Sequence, residues 1–128
     1  MQELNYIKEQ VEEKMEINIS SKSKDTHSAI SRWLYYKLAR KLTDYSLSTI
    51  GNLVNRDHST VLYGLRKVDD EMKFNAKYAA AYEQLSLSCK ARLSYNSIEA
   101  IDRAIDELNR EIKKLELIKA KREETTAQ

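Results

Sequence analysis

Proline is missing from this 128-residue chain, and glycine occurs only twice. Both residues punctuate turns and strand ends, so their scarcity argues against a β-rich fold and for long helices with short connections. No apolar run is long enough to span a bilayer. The opening Met-Gln-Glu-Leu-Asn has neither a basic start nor an apolar stretch, so no secretory signal is expected there. The single cysteine, Cys89, cannot close an internal disulfide. That fits a reducing cytoplasm, with Cys89 packing on a helix. Neither a Gly-x-x-x-x-Gly-Lys-Ser/Thr phosphate loop nor a Ser/His/Asp or Cys/His set is present. His27 has no partner at metal-ligand spacing, and Asp102, Asp106, Glu107 and Glu111 align with no nucleophile. The expectation is a protein that is not an enzyme and needs no cofactor or metal.

What is there is charge, unevenly placed. The net charge is only +2, yet residues 1–20 carry two lysines against five glutamates. Residues 22–67 carry Lys22, Lys24, Arg32, Lys37, Arg40, Lys41, Arg56, Arg66 and Lys67 against only Asp25, Asp44 and Asp57. A local basic excess is the footprint expected where a protein meets phosphates, although a solvated basic face would give the same count.

Apolar spacing outlines the helices. Leu4, Ile7, Val11 and Met15 recur at intervals of three and four and mark an opening helix, followed by Ile17 and Ile19. The polar run from Ser20 to Thr26 reads as an exposed basic loop. Ile30, Trp33, Leu34, Leu38 and Leu42 form a second stripe, with Trp33 and Tyr35 or Tyr36 supplying core area. After a break at Thr43–Ser46, Leu47, Ile50 and Leu53 outline a short helix ending near Asn55, a residue that tolerates left-handed backbone. Asp57 is the expected N-cap of the next helix, whose inner face is Val61, Leu65, Val68 and Met72. Phe74, Tyr78, Tyr82 and Leu85 suggest a further helix.

A short helix, a tight polar turn and a second helix make a helix-turn-helix. The second helix of such a pair presents its N-terminal end to base edges in the major groove. Here that end carries Asp57, His58, Ser59 and Thr60, preceded by Arg56 and followed by Arg66. Short polar groups can reach a base edge without holding the helix off the groove. The basic helix from Arg32 to Lys41 is expected to lie near the phosphates and fix the register. Tyr63, beside the reading end, is the tyrosine expected to be within reach of DNA.

The strings Ser46-Leu47-Ser48-Thr49-Ile50-Gly51, Arg56-Asp57-His58-Ser59-Thr60-Val61-Leu62 and Arg66-Lys67-Val68 resemble the C-terminal DNA-binding domain of the bacterial replication initiator DnaA. The likeness extends upstream through Ala39-Arg40-Lys41-Leu42-Thr43 and covers about Leu4 to Lys73. The resemblance implies an all-α, Trp-repressor/DnaA-C-terminal-like helix-turn-helix over residues 1–73, with a helical extension over residues 74–128. It implies base contacts from Asp57, His58 and Ser59, with Thr60 assisting. By the same resemblance Arg56 contacts base or backbone, Arg40 grips phosphate, and Lys22 and Lys24 lie in a loop approaching the minor groove. Three positions depart from the family. Ile30 stands where the family has a minor-groove arginine, for which Arg32 or the loop lysines can substitute. Val54-Asn55 replaces Gly-Gly, and Tyr63-Gly64 replaces His-Ala. With no ATPase module, the expectation is a free-standing DNA-binding protein of phage or mobile-element origin, cytoplasmic and nucleoid-associated, acting in replication or transcription control. The alternative is a structural or adaptor protein, for example a virion component, that keeps the fold and binds protein instead.

The last helical stretch carries Ile98, Ile101, Ile105, Leu108, Ile112 and Leu115, a heptad seam that stops at Lys119 and Arg122. Two readings stay open: self-association through a coiled coil, or a hairpin against the helix of residues 74–92.

Overall fold

The computed structural model describes residues 2–94 and 98–127, all side chains included except those of Glu99 and residues 125–127. Six helices and no strand occur among them: α1 (Gln2–Met15), α2 (Thr26–Leu42), α3 (Leu47–Asn52), α4 (His58–Phe74), α5 (Ala76–Ser94) and α6 (Ile98–Ala127). The chain forms two compact units, Met1–Leu93 and Ser94–Gln128.

The core of the first unit follows the apolar spacing. Leu4, Ile7, Val11 and Met15 of α1 meet Ile30, Leu34 and Leu38 of α2. Ile19, between the two helices, is fully buried and closes that layer. Glu12 fixes the approach, its carboxylate accepting the Ile19 N–H at 3.1 Å. Across α2 lie Ile50 of α3, Val54, and Val61 and Val68 of α4. The side chains of Tyr35 and Tyr36 are both buried, while Trp33 is only half-buried at the edge.

The first unit extends further than the expected boundary at residue 73. Tyr78, Ala81, Tyr82, Leu85 and Cys89 of α5 join the same core, and His27 ties α5 to the other helices. Its Nε2 donates to the Met15 carbonyl at 2.9 Å, and Nδ1 is hydrogen-bonded to the Tyr78 hydroxyl at 2.8 Å. The apolar stripe of α5 marks it as a helix but says nothing of which surface buries it. Phe74, read from the sequence as part of that stripe, is instead the exposed last residue of α4. Cys89 is buried and reduced, with its thiol pushed up by burial.

Tyr35 and Tyr36 differ by one hydrogen bond. The Tyr35 hydroxyl donates to the Ile50 carbonyl at 2.8 Å and joins α2 to α3. The Tyr36 hydroxyl is the one buried side-chain polar atom without a partner among the described residues. Leaving a buried polar group unpaired costs about 1–3 kcal/mol, whereas a made bond contributes about 1 kcal/mol net. Tyr36→Phe is therefore expected to leave urea stability unchanged or raise it, and Tyr35→Phe to lower it by about 1 kcal/mol. Equal losses for the two would contradict this hydrogen-bond assignment.

Candidate nucleic-acid interface

Gly51, Asn55 and Asp57 build the turn between α3 and α4. The Gly51 carbonyl accepts the N–H groups of Val54 at 2.9 Å and Arg56 at 3.0 Å. Asn55 takes the left-handed conformation, φ 59°, which its short polar side chain tolerates, and so turns the chain into α4. Asp57 then caps α4, accepting the Thr60 N–H and the Thr60 hydroxyl, each at 2.9 Å. Those two bonds, the N–H first, hold the Asp57 carboxyl below its ordinary value. Asp57 and Thr60 thus bond to each other and fix the helix start. His58 and Ser59 are left as exposed side chains of the first turn. Ser59, Tyr63 and Arg66, at i, i+4 and i+7, share one exposed face. Tyr63 is held there between the Trp33 edge, 6.1 Å between centroids, and Lys67, 5.6 Å above the ring.

The loop carrying Lys22 and Lys24 is tied to this turn. Ser20 Oγ donates to the Leu53 carbonyl at 3.4 Å, and Asn55 Nδ2 donates to the Ser20 carbonyl at 3.4 Å. Arg56 donates to the carbonyls of Val54 and Ser21, each at 2.8 Å. Arg32 reaches the same place from α2. Its Nε donates to the Ile19 carbonyl, and Nη2 donates to those of Ser21 and Ser23, all at 2.8 Å. Two guanidinium groups therefore converge on one carbonyl. Burial, and secondarily the nearby Arg56 charge, lower the Arg32 pKa without discharging a group of that basicity.

Arg32 is 5% exposed, and its Nε and Nη2 are spent on backbone oxygens, so it braces the loop from inside and does not lie on the open basic face. Ile30 is likewise a core residue, 1% exposed. Arg56 is half-buried and also serves the loop. On the rest of the basic helix, Lys37 pairs with Asp69 at 2.6 Å. Lys41 donates to Ser86 Oγ at 3.2 Å, and both lysines lie over the Tyr82 ring. Arg40 alone of that group is exposed with no bond among the described residues, about 12 Å of helix rise from Arg32. Lys22, Lys24 and Arg66 are exposed as well. The structure thus brings together the 20–24 loop, the 53–56 turn and the tip of α4; Arg40 stands two turns away from them along α2. The Arg32–Arg56 convergence left no mark in the sequence, because its acceptors are main-chain oxygens.

The loop ends on Asp25, the N-cap of α2. Its carboxylate accepts the Ser23 hydroxyl, the Ser28 N–H at 2.8 Å and the Ser28 hydroxyl at 2.9 Å. These bonds, Ser23 first, lower its pKa from 3.8 to about 2. A depressed folded-state value gives a contribution present above the ordinary pKa and lost as pH falls through the folded one. Acid unfolding is expected to steepen between pH 3.8 and about 2, and Asp25→Asn to flatten that limb. An identical acid limb in the variant would remove Asp25 from the account.

The family model for the bacterial dnaA protein helix-turn-helix matches residues 4–68. The chain belongs to this family. It is 45% identical over 56 residues to the chromosomal replication initiator protein DnaA of Lachnoclostridium phytofermentans, covering 43% of this chain and 12% of that protein. The protein of the same name from Deinococcus deserti is 38% identical over 61 residues, 48% of this chain and 13% of that one. That of Caldanaerobacter subterraneus is 34% identical over 70 residues, 55% of this chain and 16% of its own length. The chain therefore spans less than a fifth of the relatives it matches, and the family's helix-turn-helix is the part they share. The match ends at residue 68, before α5 and α6. No helix among the described residues is long and apolar enough to cross a membrane.

Proposed function

We propose that this chain binds double-stranded DNA, laying the first turn of α4 into the major groove with the 20–24 loop on the flanking strand. The observation that carries this reading is the outward tip of α4. His58 and Ser59 are exposed there, in a family helix-turn-helix, beside a cationic loop tied to the same turn. His58 and Ser59 read base edges, while Asp57 and Thr60 set the helix start. Tyr63 and Arg66 extend the reading face, and Lys22, Lys24 and Arg40 contact phosphate. The protein acts in replication or transcription control from a phage or mobile element, in the cytoplasm and at the nucleoid, competing with a host initiator for its sites. The exposed Ile and Leu side chains of α6 support self-association as a second property.

Selecting bound sequences from a random duplex pool, followed by titration at several salt concentrations, tests the DNA reading. Lys22→Ala with Lys24→Ala is expected to weaken all sequences alike and reduce the salt slope by about two. His58→Ala or Ser59→Ala is expected to cost about 1–3 kcal/mol on the selected site and little elsewhere. Absence of duplex binding at low salt would overturn the proposal and transfer the fold to the adaptor reading.

A further inference from the structure

Two main-chain amides beside the α3–α4 turn stand without acceptors, and both point away from the protein. Arg32 Nη2 donates to the carbonyls of Ser21 and Ser23, and Arg56 Nη2 donates to that of Ser21, all at 2.8 Å. Arg32 is buried, so both carbonyls face inward. A trans peptide sets its N–H opposite its C=O, and the N–H groups of these two peptides belong to Lys22 and Lys24. Neither has an acceptor among the described residues. The amide between them differs: the Ser23 N–H donates to Ser21 Oγ at 3.3 Å. We propose that the Lys22 and Lys24 amides bind phosphate oxygens of one DNA strand, aimed by the two guanidinium groups behind them. The site rests on the DNA reading above, and its ligands are main-chain groups that no side chain announces.

The arrangement suits phosphate. The Ser21 and Ser23 carbonyls share one nitrogen, so they lie on one side, as those of alternate residues in an extended chain do. The two amides share the opposite side. Two residues of extended chain cover about 6.6 Å, wider than one phosphate group, so each amide serves one of two successive phosphates. A guanidinium on the carbonyl end draws charge from the peptide and makes its N–H a stronger donor. The Lys22 and Lys24 side chains, both exposed, add two ammonium groups around the amides. Asp25, the acid of the loop, has its carboxylate held at the start of α2 by Ser28 and by the Ser23 hydroxyl. The bonds from Ser20 to Leu53 and from Asn55 to Ser20 fix the loop to the turn, and so to the tip bearing His58 and Ser59. An amide carries no net charge, so this share of the affinity releases no counterion and adds nothing to the salt slope.

Amide spectra of the nitrogen-15-labelled full chain, titrated with the selected duplex, test the site directly. The amide protons of residues 22 and 24 are expected to move downfield and gain protection from exchange, while that of Ser23 stays. The same shifts are expected in the Lys22→Ala, Lys24→Ala double variant, which keeps the amides and loses the ammonium groups. Methylphosphonate walked along the duplex should cost that variant about fivefold at two successive phosphates, the size of one neutral hydrogen bond each. At those phosphates it should also cancel the two shifts. Arg56→Ala takes one of two donors from the Ser21 carbonyl and none from Ser23. Its residue 22 shift is therefore expected to shrink and its residue 24 shift to stay, with urea unfolding showing the variant folded. A duplex that binds with both amide protons unmoved, or moved only while the lysines are present, would overturn the amide site and leave DNA binding standing. An unchanged residue 22 shift in Arg56→Ala would strike Arg56 from the arrangement. Absence of duplex binding would overturn the site together with the function it serves.

Discussion

Arg32→Ala is expected to lower the stability of the first unit by about 3 kcal/mol, an effect of buried hydrogen bonding and not of surface charge. The side chain is 5% exposed and its three carbonyl acceptors lie at 2.8 Å. Bonds from a charged donor contribute about 1.5–3 kcal/mol each when the acceptor cannot be rehydrated. Ser21 and Ser23 sit in an exposed loop and regain water; the carbonyl of Ile19, a residue with no exposed surface, does not. One bond is thus lost in full, with the packing of the aliphatic stem added. Relief of the repulsion from Arg56 offsets a small part. Arg32→Lys keeps the charge but loses the fork and cannot serve both Ile19 and Ser23, so about half the loss is expected. Urea unfolding measures both variants. Salt titration of DNA binding separates this role from a phosphate contact: a clamp leaves the salt slope unchanged, whereas a phosphate ligand lowers it by about one. Intact stability with a reduced slope would show that Arg32 faces DNA after all.

The case of Arg32 also marks where the sequence stopped being legible. Helix positions follow from local spacing, and Leu4, Ile7, Val11 and Met15 are buried as their intervals require. The Asp57 cap and the left-handed Asn55 were readable because each is a local preference of that side chain. A basic residue off the apolar stripe, by contrast, reads as solvated. Nothing in residues 26–42 shows that the carbonyls of Ile19, Ser21 and Ser23 fold back onto position 32. The same gap hid the internal use of Lys37 and Lys41, whose partners Asp69 and Ser86 come from α4 and α5. It also hid the extent of the first unit, since the stripe Tyr78, Tyr82, Leu85 demands burial without naming a surface. What survives is the outward tip of α4, because helix starts and exposed faces are set by neighbours in the chain.

Gly51→Ala should separate the shape of that tip from the stability that supports it. A Cβ at residue 51 would lie 2.5 Å from the Arg56 carbonyl oxygen and 2.8 Å from Val61 Cγ2. The oxygen belongs to the main chain, and Arg56 is held on one side by its N–H bond to Gly51 and on the other by the Asp57 cap. It cannot swing aside as a side chain would. Alanine gains about 1 kcal/mol of helix propensity, and overpacking against fixed backbone stands at the upper end of its usual 1–3 kcal/mol, for a net loss of about 2 kcal/mol. Relief comes only by moving the turn, which re-aims His58 and Ser59. DNA affinity is therefore expected to fall even where urea unfolding shows the protein fully folded. Gly64→Ala is the control. Its Cβ would meet Trp33 Cδ1 at 2.5 Å and Tyr36 Cδ2 at 2.8 Å, both ring atoms, so part of the strain is relieved by the half-buried indole turning. It leaves the α3–α4 turn in place, so the affinity of the folded protein should fall only through Tyr63, which the indole holds, and by less than in Gly51→Ala. Equal loss of affinity in the two variants would show that the α3–α4 turn does not aim the reading helix.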